Sequence, residues 1–155
     1  MEMPGTLVKY LADNSIAYDR LAHRHTSTSL DTARVTNIPG NELAKSVILE
    51  DEQGYVMAVV PATRHVKIRE INRLLNRHMG LATESELGRL FQDCELGAIP
   101  PVGQAYGMQT VVDESLDRCN DIYFEAGNHE ELIHVKGNTF RKLMKNLRHA
   151  PICVH

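Results

Sequence analysis

The chain has 155 residues, 43% hydrophobic and 24% charged, with a formal net charge of -3. That length predicts one domain over residues 1–155, large enough to bury roughly 68–70% of its unfolded surface without disulfides or metal. The composition excludes disordered, collagen-like and disulfide-scaffold proteins, and the charge excludes a strongly basic, non-specific nucleic-acid binder.

The N-terminal stretch lacks the basic-then-apolar layout of a signal peptide, and no apolar run of ~18 residues is present to span a membrane. In chain order, Pro4-Gly5-Thr6 opens a helix through Asn14, and Ser15 to Leu21 reads as a strand. Thr28 with Asp31 resembles a capping box, so a second helix starts there and stops before Pro39. The runs 44–49 and 55–60 flank a polar, glycine-containing turn and predict a hairpin. Its second run is apolar at nearly every position, as in a strand buried on both faces. Ile68 to Arg77 has helical spacing, and Thr83 with Glu86 starts another helix through Phe91. Residues 95–107 break every pattern, with three glycines and two adjacent prolines. Strands are expected at 108–112, 121–125 and 132–135, with a turn at Gly127-Asn128. Asn138 is expected to cap a last helix, 139–147, before a frayed tail. The predicted fold class is α/β (α+β): a mixed, largely antiparallel sheet with peripheral helices.

Several motifs invite chemistry. His129 and His134 nearly form a zinc-protease pair, but that pair needs i, i+4 spacing and here the interval is five. His23 and His25 lack a third ligand, so exposed histidines and no metal site are expected. The odd cysteine count, Cys94, Cys119 and Cys153 with no CxxC, predicts free thiols in a reducing compartment. Cys94 lies between Asp93 and Glu95, which disfavours a thiolate. Lys45 interrupts an apolar strand, either snorkelling to solvent or supplying a fixed cation in a cleft. Ser46 beside it suggests a Ser–Lys nucleophile, but neighbours on a strand point to opposite faces. The glycine-rich segment either turns the chain or lets a ligand reach bare backbone N–H groups; composition favours the turn. Arg69, Arg73 and Arg77, and Arg141, Lys145 and Arg148, each repeat at helical spacing. Solvated faces usually look like this; a bent RNA backbone is the alternative partner.

Three segments carry a resemblance: Lys45-Ser46-Val47-Ile48-Leu49 with Val59-Val60-Pro61-Ala62; Gly97-Ala98-Ile99-Pro100-Pro101-Val102-Gly103; and Tyr123-Phe124-Glu125-Ala126-Gly127-Asn128-His129-Glu130-Glu131-Leu132. In this order and over about Leu7 to Leu143, they resemble the YbaK / prolyl-tRNA-synthetase-associated editing-domain family. The resemblance implies a cytoplasmic, free-standing, cofactor-free deacylase of mischarged aminoacyl-tRNA, typically tRNA for proline carrying alanine or another small residue. Lys45 matches the family's functional lysine, Gly97 and Pro101 the ends of its GxxxP loop, and Gly127 and His129 its Gly-x-His turn. His129 is thereby expected beside the aminoacyl pocket. Substrate contacts are expected at Ala98, Ile99, Pro100, Val102, Gly103, Gly127 and Asn128, although Pro100 has no N–H to offer. The implied partners are the acceptor end of an aminoacyl-tRNA and an aminoacyl-tRNA synthetase, with no membrane and no DNA. The competing reading is a non-catalytic tRNA- or synthetase-binding module of the same fold.

Overall fold

The computed structural model describes residues 2–154. The chain opens with α1 (Gly5–Asp13), β1 (Asp19–Ala22) and α2 (Ser29–Thr36). The hairpin β2 (Leu43–Asp51) and β3 (Gly54–Pro61) follows, then β4 (His65–Val66), α3 (Ile68–Leu75) and β5 (Gly80–Leu81). After α4 (Glu84–Leu90) come a 3-10 turn at Gly103–Tyr106, β6 (Gln109–Asp113), a second 3-10 turn at Glu114–Arg118 and β7 (Asp121–Glu125). The chain closes with β8 (Glu131–Lys136), α5 (Gly137–Leu143), β9 (Arg148–Ala150) and β10 (Cys153–Val154).

Eight strands form one mixed sheet in the order β1-β8-β7-β2-β3-β6-β9, with β5 pairing on β2. Neighbours joined by tight turns, β2/β3 and β7/β8, are antiparallel. The β2/β7, β3/β6 and β6/β9 pairs are parallel, as long crossovers require. Val56 to Val60 of β3 are fully buried, and their alternation divides the core in two. Met57 and Val59 pack with Leu7 and Leu11 of α1 and Phe140 of α5. Val56, Ala58 and Val60 pack with Ile71 of α3 and Ile152. A strand covered on both faces reads as a continuous apolar run, and each of its buried Val and Met side chains contributes about 1.5–3 kcal/mol.

Four sequence expectations are corrected. The first strand begins at Asp19, because Ser15 takes a left-handed turn (φ 54°) just after α1. Helix α3 ends at Leu75 with left-handed Asn76, so Arg77 leaves the expected arginine stripe. Its guanidinium instead grips Asp51 (Nε–Oδ2 2.8 Å) and the Gly54 carbonyl. Arg69 and Arg73 remain exposed on α3, Arg73 paired with Glu70. The last helix starts at Gly137 without an Asn138 cap and stops at Leu143. Arg141 therefore lies on α5, Lys145 beyond it and Arg148 on β9, so no single helix face carries all three. The tail is ordered rather than frayed: β9 extends the sheet, β10 pairs with β4, and Asp113 accepts the Ile152 N–H at 3.0 Å.

Candidate active site

Strand β2 has an interrupted edge. Its parallel ladder with β7 ends at Ala44↔Phe124, and pairing resumes with β5 only at Leu49↔Leu81. The Leu43 carbonyl accepts from Ala62 N–H at 2.8 Å, on the β3 side, and the Ile48 carbonyl accepts from Ala82 N–H at 3.0 Å, on the other. Backbone polarity alternates along a strand, so the N–H and C=O of Ser46 point into the gap. A cleft of about 380 Å³ opens there. Its walls come from β2, the start of α2 (Ser27 to Leu30), the segment 81–87, and the loop at Gly97 and Ile99, with Glu125 at its base.

The glycine-proline loop is pinned from behind. Ser46 Oγ donates to the Ile99 carbonyl at 2.9 Å, His129 Nε2 donates to the Leu96 carbonyl at 3.0 Å, and Glu95 N–H donates to Gly127 O at 2.8 Å. Ala98 N–H is taken by the Glu95 carbonyl, and Pro100 and Pro101 have no N–H. Among the described residues this leaves the Gly97 and Ile99 N–H groups without a backbone acceptor, at the wall of the cleft. Gly97 is left-handed (φ +82°), and a β-carbon there would lie 2.8 Å from the Ser27 carbonyl and 2.9 Å from His129 Nε2. Both conformation and space therefore demand glycine.

Lys45 and Ser46 diverge as strand neighbours must. Ser46 serves the loop, whereas Lys45 extends over the opposite sheet face, its Nζ 3.4 Å from the Ala62 carbonyl. A Ser–Lys nucleophile is thereby excluded. Burial pulls the Lys45 ammonium below its ordinary pKa, and the nearby Cys153 sulfur partly offsets this. Among the described residues no carboxylate pairs with Lys45, so its charge is available to a ligand. Burial pushes the Cys94 thiol up to about 12, with Asp93 adding to it against the Tyr106 hydroxyl, which removes Cys94 as a nucleophile.

Behind the loop lies a buried carboxylate. The Glu125 side chain, 4% exposed, stands between His23 (Nε2–Oε1 2.8 Å) and His129 (Nδ1–Oε2 3.1 Å). The His129 contact is close enough for an ion pair but poorly aligned, so Oε2 makes no well-formed hydrogen bond. Burial lowers the His129 pKa, but the Glu125 carboxylate, the Leu96 carbonyl and Glu95 outweigh it and leave the value raised.

The structure thus brings Lys45, Gly97 and Ile99 to the cleft. Ala98, Pro100, Pro101, Val102 and Gly103 are buried behind or beyond the wall. Gly127 (φ +103°) lies under Pro4. Asn128 shapes the turn, its Oδ1 accepting the Glu130 and Glu131 N–H groups at 3.0 Å. His129 is 1% exposed and faces the back of the loop rather than the cleft. His23 is not the exposed histidine expected from sequence; its side chain is 3% exposed. His134 stands apart between Asp19 and Asp121. Sequence reasoning missed Glu125, although a carboxylate inside the apolar run 122–126 is a readable sign of a buried polar site.

The profile of the aminoacyl-tRNA editing domain matches residues 23–143. No curated protein sequence matches the chain. Among solved structures, a protein described as a trans-editing enzyme for prolyl tRNA synthetase superposes with a TM-score of 0.84 at 17% identity, covering 99% of this chain and 100% of that one. A hypothetical protein of unstated activity gives 0.85 at 19% identity over 96% of this chain and 99% of its own. A protein from Marinobacter aquaeolei VT8, described as acting in signal transduction, gives 0.81 at 22% identity; this chain is 99% covered but spans only 31% of that protein. The fold is that of a mixed α/β editing domain. The chain belongs to the aminoacyl-tRNA editing-domain family, the YbaK-like group associated with prolyl-tRNA synthetase.

Proposed function

We propose that this chain deacylates mischarged aminoacyl-tRNA in trans, with tRNA for proline carrying alanine or another small amino acid as its substrate. The observation that carries the reading is the pairing of an uncompensated Lys45 ammonium with the open Gly97 and Ile99 N–H groups, across one sheet edge. Likeness to a protein described as a trans-editing enzyme supports the choice of proline tRNA.

In this reading the acyl ester crosses the sheet edge. Its carbonyl oxygen accepts from the loop N–H groups, which hold the oxyanion as the carbonyl carbon becomes tetrahedral. Lys45 binds a phosphate near the terminal adenosine as a point charge. Water oxygen bonds to the carbonyl carbon, the ester C–O bond breaks, and the ribose oxygen leaves with a proton from that water. The products are a free amino acid and a tRNA with its terminal hydroxyl restored. An aminoacyl ester is already activated, so positioning and charge stabilisation suffice without a nucleophilic side chain. A hydrolytic sieve is needed because one missing methylene gives a synthetase only ~1–3 kcal/mol of discrimination. The reaction proposed here uses no metal ion. Chelator treatment should accordingly leave the rate unchanged, and loss of activity restored by added metal would refute that part.

The deciding experiment is deacylation of tRNAs charged with a panel of amino acids, by the wild type and Lys45→Ala. Rapid release of alanine from proline tRNA, largely lost in a folded Lys45→Ala protein, is the expected result. A protein that binds tRNA yet releases nothing would instead be a binding module of the same fold.

A further inference from the structure

We propose that His23, Glu125 and His129 form a buried relay that holds one proton in each of its two contacts and positions the Gly97–Ile99 wall of the cleft. The function of that wall rests on the deacylase reading; the relay itself does not. His23 Nδ1 lies 2.6 Å from the Arg24 carbonyl and His129 Nε2 lies 3.0 Å from the Leu96 carbonyl. A carbonyl only accepts, so both of these nitrogens carry hydrogen. The remaining nitrogen of each ring faces one oxygen of Glu125. A carboxylate accepts, and so does the second nitrogen of a neutral imidazole, so each contact needs a proton of its own. With both contacts made, both protons sit on the more basic imidazole nitrogens and the three groups together carry one positive charge. Remove one proton and the charge falls to zero, leaving one contact as lone pair against lone pair. All three side chains are 2–4% exposed, so the lost partner is costly to replace.

The contact that opens is the weaker one, between His129 and Glu125. His129 is also the ring that holds the Leu96 carbonyl and fills the space beside Gly97. Glu125 and His23 are therefore positioning residues for the loop, acting through His129. The other groups facing His129 are the His25 ring, 5.9 Å away edge-on, and Glu95, which is itself paired with His25 at 2.8 Å. The Thr26 hydroxyl, 3.5 Å from Nδ1, is engaged with Thr32 at 2.6 Å. The acidic groups favour the charged relay, in agreement with the raised His129 pKa.

The test is a nitrogen-15 NMR titration of the ring nitrogens in the whole protein, beside single-turnover deacylation across the same pH range, corrected for uncatalysed hydrolysis. His129 should be charged at pH 6.5 and should lose its proton at higher pH. The chemical rate should fall with it, approaching about tenfold per pH unit past the midpoint, while tRNA affinity stays constant. Glu125→Gln keeps the size and can bond both rings, but removes the negative charge. It should move the His129 titration and the alkaline fall in rate to lower pH together. A wild-type His129 that is neutral at pH 6.5 overturns the relay without any variant. So does a rate that ignores the ring titration. If no aminoacyl ester is hydrolysed at all, the proposed function fails while the ring titration still decides the relay.

Discussion

Gly97 concentrates the proposed mechanism into one missing β-carbon. Its left-handed φ strains any other residue, and the Ser27 carbonyl and His129 ring occupy the space a methyl group needs. Gly97→Ala should therefore lower the single-turnover rate by about 10²–10³-fold, the usual cost of misplacing an oxyanion donor, while tRNA affinity changes little. A destabilised Gly97→Ala protein with normal turnover would reduce the loop to a simple turn. Ser46 offers a milder probe of the same wall. Ser46→Ala strips the Ile99 carbonyl of its side-chain donor, at a cost of about 1–3 kcal/mol if that carbonyl stays unsatisfied. Thermal unfolding and deacylation on one preparation would show whether rate falls with stability, as a shared support of loop and fold requires.

Among the elements, α4 shows a local signal that translates directly into structure. Thr83 accepts from Glu86 N–H at 3.2 Å, and the Glu86 carboxylate accepts from Thr83 N–H at 3.0 Å, completing the capping box. Thr83→Ala should cost about 1 kcal/mol in chemical denaturation, and because α4 contributes Leu87 to the cleft, a small rise in KM should accompany it. An unchanged midpoint would show that other contacts set the helix start. The β2/β3 hairpin was equally legible, from apolar runs meeting at Gly54. The two-residue strands β4, β5 and β10 were not, since two residues display no periodicity. The arginine stripe failed at Asn76, where a left-handed residue ends α3 just before the pattern reaches Arg77. At the site, Lys45 stood out because a charge interrupts an apolar strand, whereas Gly97, in a segment whose composition favours a simple turn, stood out only through the resemblance to the family's GxxxP loop. His23 could not, since its partner Glu125 lies 102 positions away and no local spacing encodes a contact made by the sheet.

For the molecule as a whole, acid should reveal how the hairpin is tied to α3. The Arg77 guanidinium, with help from the Gln53 and Gly54 backbone, holds the Asp51 carboxyl down at about 2. A depressed carboxyl contributes stability above its unfolded pKa near 3.8, and that contribution disappears as pH falls towards 2. Arg77→Ala should thus lower the melting temperature at pH 7 and flatten its dependence on pH between about 4 and 2. Identical acid profiles for variant and wild type would remove this pair from the molecule's pH response.

In the proposed reaction the interrupted β2 edge also sets what kind of acyl group can enter. Between the last β7 pairing at Ala44 and the first β5 pairing at Leu49, the opening spans only four residues, roughly 13 Å at ~3.3 Å each. A single amino acid on its ribose fits such a window, whereas a nascent polypeptide would have to lie along the edge as an added strand and would meet β7 and β5 at either end. The enzyme should therefore spare peptidyl-tRNA, leaving growing chains on the ribosome uncut while it clears single misattached residues. Comparing alanyl-tRNA with a tripeptidyl-tRNA on the same acceptor measures this directly, and equal hydrolysis of the two would show that the window does not limit the guest.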